Sequence, residues 1–152
     1  MSYITPEGHA ALEEELKSLW QRRGVTTAAL AAAAAEGDRS ENAEYIHRKK
    51  ELREIDRRLG YLQRRIPELK VVQAVQSRDR IYFGAWVTLE DQTGARHTWR
   101  LVGPDEFATH PSYISIDAPL ARALLGKGVD DEITLIVGER KDSYFILEIE
   151  YR

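Results

Sequence analysis

The sequence predicts an α+β protein of two domains: an antiparallel α-helical coiled-coil hairpin over residues 1–76, and an antiparallel sheet with one short helix over residues 77–152. Two periodicities and one break carry this. Leu52, Ile55, Leu59, Leu62, Ile66 and Leu69 alternate spacings of three and four, the heptad of a left-handed helical seam. From Ile81 the spacing becomes two, with Ile81, Phe83, Ala85, Val87 and Leu89 on one face of an extended segment. Between the two helical runs stands a short break, Gly37 followed by Asp38, Glu41 and Glu44, which leaves the helices room only to be antiparallel neighbours.

The first helix is expected over 6–36. Thr5 can cap it, Pro6 fits the first helical position, where a missing N–H is harmless, and Leu12, Leu16, Leu19 and Trp20 recur at helical spacing. Gly24, Val25, Thr26 and Thr27 are weak helix formers, so a bend or loosened turn is expected there. Ala28, Ala29 and the run Ala31 to Ala35 then make a stiff, slim end. The second helix should begin near Glu41 and reach the seventies, with Pro67 kinking or ending its last part. Thirty helical residues at about 1.5 Å each place the break on the order of 45 Å from the base.

In the second half, Asp91, Gln92, Thr93 and Gly94 make a turn, and 97–102 returns as a partner strand. Residues 113–116 form another short strand, Asp117, Ala118 and Pro119 start a helix over 120–125, and 133–137 with 144–151 make a closing hairpin around residues 139–142. Phe83, Trp86, Trp99 and Phe145 sit in alternating strands and are expected in the core rather than on a binding platform.

Composition excludes several classes of function. A chain of 152 residues with 43% hydrophobic and 31% charged residues builds a packed core, and no run of eighteen apolar residues or signal-peptide pattern is present, so a cytoplasmic protein is expected. There is no cysteine for a thiolate site, no His pair at metal spacing and no Gly-rich phosphate loop. The net charge is −3, yet from His47 to Arg65 eight basic residues face three acidic ones, directly after the acidic break.

Chemistry therefore concentrates at the tip of the hairpin. Asp38 and Glu41 support two readings. Gly37 can end the first helix in a left-handed conformation while Asp38 caps the second and Glu41 completes a capping box. Alternatively, the two carboxylates, three apart, offer hard oxygens to a cation such as Mg²⁺. Two exposed ligands fall short of an octahedral shell, so such a tip would work only by completing a metal site that another molecule already holds.

The segment Gly37-Asp38-Arg39-Ser40-Glu41-Asn42-Ala43-Glu44-Tyr45, with Lys49 to Arg58 after it, resembles the bacterial Gre transcript-cleavage factors, and their GreB branch in particular. Tyr82-Phe83-Gly84-Ala85-Trp86-Val87 and the stretch from Tyr113 to Leu125 resemble the C-terminal signatures of the same family, so the likeness spans the chain. It implies an elongation factor that binds bacterial RNA polymerase through its secondary channel and stimulates endonucleolytic cleavage of the RNA 3′ segment in backtracked complexes. A hairpin that uses up its own seam is expected to be a monomer, and the lack of a long apolar run predicts no membrane partner. The resemblance also implies that the factor is not itself an enzyme. Asp38 and Glu41 would be the catalytic pair, holding an Mg²⁺ shared with the polymerase, with Ser40, Asn42, Glu44 and Tyr45 supporting them.

The same resemblance implies that Arg48, Lys49 and Arg53 contact the extruded RNA, where pattern alone would equally suit a solvated helix face. It implies an FK506-binding-protein-like C-terminal domain without isomerase activity, docking through Asp117 and Pro119. The chain departs from the family at Ala118, where Ser is common, and at Gly24 and the alanine tract. Three rivals remain: a channel-binding regulator that does not cleave, an adaptor joining other helices through the heptad seam, and a free-standing metal nuclease.

Overall fold

The computed structural model describes residues 2–37, 42–73 and 79–152. The chain divides into two compact units, His9–Glu68 and Met1–Gly8 with Leu69–Arg152. Relative to a boundary at 76/77, both ends of the helical region group with the second unit. The reason is a pair of short parallel strands, β1 (Ser2–Ile4) and β2 (Leu69–Val71), in register Ser2 to Leu69 and Ile4 to Val71. Strands of three residues leave too little alternation to be read from sequence.

The helical unit is built on α1 (Pro6–Ala34) and α2 (Ala43–Arg65). Thr5 caps α1 as expected, its Oγ1 accepting the Gly8 N–H at 3.0 Å. The helix passes through Gly24 without interruption, against the expected bend. A helix of 29 residues absorbs one poor former when buried side chains on either side, Leu19 and Thr26, hold its face.

Leu12, Leu19, Thr26 and Ala33 are the buried residues of α1, each seven after the last, and Ile55, Leu59 and Leu62 are those of α2. Partners across the hairpin run in opposite directions. Glu15 takes both Arg58 Nε at 2.6 Å and Nη2 at 2.9 Å, Arg23 Nε meets Asp56 at 2.6 Å, and Thr26 Oγ1 donates to Glu51 at 2.9 Å. The two helices are therefore antiparallel, as the short break required.

Helix α2 ends earlier than expected. After Arg65 the chain tightens into a 3₁₀ turn over Ile66–Glu68, because Pro67 has no N–H to continue the ladder. Leu69, the last residue of the heptad pattern, is consequently a buried strand residue in the other unit.

The second unit carries a five-stranded sheet in the order β5-β4-β3-β7-β6, from β3 (Trp86–Glu90), β4 (Arg96–Val102), β5 (Tyr113–Ser115), β6 (Glu132–Val137) and β7 (Arg140–Glu150). Its pairs are antiparallel except β5, which runs parallel to β4 after a connection long enough to cross back. The final hairpin turns at Gly138, φ 62°, so β7 begins at Arg140 rather than at 144. Helix α3 (Pro119–Leu124) covers the inner face, where Ile81, Val87, Leu89, Leu101, Leu124 and Ile146 are completely buried. Each such side chain contributes roughly 1.5–3 kcal/mol.

Two aromatic expectations are corrected. Trp86 lies on the face opposite Val87, edge-on to Tyr113 at 5.9 Å and under the Arg152 guanidinium at 4.3 Å. Phe145 is 47% exposed, because the β3–β7 register shifts between Thr88 and Leu89 and breaks the alternation that would have turned it inward.

A buried carboxylate fastens Thr5 within this unit, to which Met1–Gly8 also belongs. Glu106, 3% exposed, accepts from the Thr5 N–H at 2.8 Å, from the Thr5 hydroxyl and from the Gly103 N–H at 3.1 Å. No described helix is long and apolar enough to cross a membrane.

Candidate functional site

Helix α1 unwinds at its end by ordinary capping bonds. Ala35 N–H reaches Ala31 O at 3.2 Å, Glu36 N–H reaches Ala33 O at 3.2 Å, and Gly37 follows at φ 124°, a conformation that favours glycine. Asp38, Arg39, Ser40 and Glu41 lie outside the described residues, so the expected catalytic pair and Ser40 have no described geometry.

Asn42 is the cap of α2, a correction to the capping box that placed Asp38 in that role. Its Oδ1 accepts the Tyr45 N–H at 3.1 Å, while Nδ2 donates to the Ala33 carbonyl at 2.8 Å. Asn is among the strongest caps, and its position immediately before an alanine-started helix was the available signal. Helix α2 consequently begins at Ala43, later than the start expected near residue 41.

The next turns of α2 carry the remaining tip residues. Glu44 accepts from Arg48 Nε at 2.8 Å, Arg48 Nη1 reaches Glu51 at 3.2 Å, and Glu51 also receives the Thr26 hydroxyl. The hydrogen bond to Glu44 holds the Arg48 guanidinium above its ordinary pKa, and the Thr26 hydroxyl, with Arg48 behind it, holds the Glu51 carboxyl below its own. Lys49 Nζ stands 5.9 Å from the Tyr45 ring centroid. Arg53 is exposed and in no ion pair among the described residues.

Thr26 and Glu51 were not singled out by sequence pattern. Their signal was Thr26 lying seven residues after Leu19, a polar residue on the buried stripe. Asp117 and Pro119 belong to the other unit: Asp117 is exposed, with its N–H on Ser115 Oγ at 3.1 Å, and Pro119 opens α3 behind Ala118, which offers no side-chain cap. Among the described residues, no group of three or more His, Cys, Asp or Glu could hold a metal ion.

The family described as "Transcription elongation factor, N-terminal" matches residues 2–71, and "Transcription elongation factor, GreA/GreB, C-term" matches residues 76–151. The chain belongs to the GreA/GreB family of transcription elongation factors. Within it the GreB branch stands out. Transcription elongation factor GreB of Yersinia pestis is 52% identical over 153 residues, covering 99% of this chain and 90% of the relative. GreB of Pseudomonas aeruginosa is 53% identical over 150 residues, covering 97% and 89%. Among solved structures, the transcription factor Gfh1 is 25% identical and covers 97% of this chain and 96% of its own, with a TM-score of 0.46. Membership makes this chain a transcription elongation factor, a protein that acts on RNA polymerase.

Proposed function

We propose that this factor stimulates endonucleolytic cleavage of the RNA 3′ segment in backtracked polymerase complexes, and that it does so by carrying Asp38 and Glu41 through the secondary channel to the active centre. The observation that supports this most is the capped tip. The acidic segment joins the ends of a slim antiparallel hairpin, and both helix ends are fastened at Asn42.

The donor set suits Mg²⁺, since both residues offer hard carboxylate oxygens, but two carboxylates fall short of an octahedral shell, so the ion would be shared with the polymerase. Held by Asp38 and Glu41 together with polymerase ligands, such an ion would supply Lewis-acid stabilisation of the phosphate charge while water displaces the 3′ oxygen from phosphorus. Asp38 and Glu41 supply negative charge and accept hydrogen bonds from that water. Ser40, Asn42, Glu44 and Tyr45 support the pair. Lys49 and Arg53, with Arg48, attract the phosphates of the extruded RNA, an interaction that weakens with salt. Asp117 and Pro119 dock the C-terminal unit on the polymerase.

The protein acts as a cytoplasmic monomer without a membrane partner and is not itself a nuclease. The coiled-coil seam is used up within the hairpin, where Leu12, Leu19, Ile55, Leu59 and Leu62 are buried, and this argues against an adaptor that joins other helices. Added to a stalled, backtracked complex with Mg²⁺, the protein should release short 3′ RNA fragments and restore elongation. Retained polymerase binding without fragments would instead support a non-cleaving regulator.

A further inference from the structure

The Asn42 side chain uses both ends of its amide, and the two partners fix which end is which. The Tyr45 N–H needs an acceptor and the Ala33 carbonyl needs a donor, so Oδ1 faces α2 and Nδ2 faces α1. The Asn42 carbonyl then accepts from the Ile46 N–H at 3.1 Å, the first bond of the helix ladder. One residue thus starts α2 and grips the last turn of α1, fastening the two ends from which the tip segment springs.

Capping alone does not require asparagine. Asp and Ser cap about equally well. What they lack is an amide donor with this reach, and an aspartate there would aim a second acceptor at the Ala33 carbonyl. Ala33 supplies the other half of the arrangement. It is 3% exposed at the last buried seven-residue step of α1, and its single methyl lets the helix ends come within 2.8 Å hydrogen-bond range. The alanine tract, which the heptad pattern left unexplained, has a use here.

We infer that Asn42 is a positioning residue for RNA cleavage: its bond to the Ala33 carbonyl sets the separation of the two helix ends, and hence where the tip presents Asp38 and Glu41. The inference rests on the proposed cleavage function. A displacement of about 1 Å at a reacting group can cost on the order of 100-fold in rate, so a single lost bond at the base of the tip is enough to matter.

The test uses the full chain with Asn42→Ser and Asn42→Asp, which keep the cap acceptor and lose the donor, and Ala33→Leu, which keeps Asn42 and forces the helix ends apart. On backtracked complexes, the maximal cleavage rate should fall at least tenfold for all three. The protein concentration giving half-maximal stimulation should stay within twofold, and helix content by circular dichroism should match the parent. Rates within twofold of the parent for Asn42→Ser and Asn42→Asp would overturn the role. So would a loss that tracks weaker polymerase binding or reduced helix content. A parent protein that releases no RNA would remove the cleavage function and the positioning role together, whereas an active parent with an active Asn42→Ser would remove the positioning role alone.

Discussion

The Thr26 hydroxyl donates to the Glu51 carboxylate at 2.9 Å across the hairpin, from a position that is 1% exposed. A polar residue on a buried heptad stripe specifies register at some cost in stability. Here its acceptor is also tied to Arg48 and, through it, to Glu44 near the tip.

This pairing predicts the acid response. Glu51, Glu15 and Asp91 all have carboxyls held below their ordinary range, by Thr26, by Arg58 and by Thr93 with His97 respectively. Their folded values lie under their unfolded ones, so their contribution is complete above about pH 5 and is lost progressively as pH falls through the unfolded and then the folded values. Thr26→Val should raise the Glu51 pKa toward the ordinary range and flatten the fall in melting temperature below about pH 4. Carboxyl-carbon NMR titration reads the first effect directly, and an unmoved Glu51 would contradict the pairing.

Two glycines should respond oppositely to alanine. A Cβ at Gly24 meets nothing within 4 Å in the middle of α1, so Gly24→Ala should stabilise by about 0.5–1 kcal/mol. A Cβ at Gly103 would overlap the Tyr3 carbonyl oxygen, a backbone atom that cannot swing aside, so Gly103→Ala should cost about 1–3 kcal/mol. Urea unfolding of both variants checks the signs.

Glu106 offers only acceptors to three donors from Thr5 and Gly103. Glu106→Gln puts an NH₂ group where an acceptor is needed and should destabilise by about 1–3 kcal/mol. Gly8 adds specificity, since a Cβ there would run into the Glu106 carboxylate. Equal unfolding midpoints for the Glu106→Gln variant and the parent would contradict this arrangement.

Much of the architecture was legible because its signals are periodic. Ile55, Leu59 and Leu62 of the heptad became a buried face, and so did Val87 and Leu89 of the alternation. Ile81, Phe83 and Ala85, by contrast, are buried in an irregular segment that turns at Gly84 ahead of β3. What was not legible depends on single events that override a pattern. Pro67 turned Leu69 from a helix residue into a strand residue, the bulge beside Leu89 turned Phe145 outward, and Gly138 moved the last turn ahead of the polar run that looked like it. At the tip, one of the two readings let Asp38 cap the second helix, whereas Asn42 caps it. The bond to Ala33 joins residues nine apart across the hairpin tip, a relationship no spacing rule expresses.

The basic face should divide by how each cation is already engaged. Arg48 is held between Glu44 and Glu51, whereas Arg53 makes no ion pair among the described residues. Arg53→Ala should therefore reduce the salt sensitivity of stimulated cleavage, by about 0.7 in log–log slope for each RNA phosphate that the side chain no longer neutralises on a single strand. Arg48→Ala should change that slope less and lower helix content near the tip more. Salt titration of the cleavage rate, with circular dichroism alongside, separates the two.

Delivery of two carboxylates by the hairpin to a metal site owned by the polymerase is tested most directly by the double replacement Asp38→Asn with Glu41→Gln, assayed for RNA cleavage on a backtracked complex and for polymerase binding in parallel. Cleavage should fall by at least about 100-fold, the scale set by removing a group that stabilises developing charge, with binding unchanged. Cleavage within twofold of the parent would contradict such delivery.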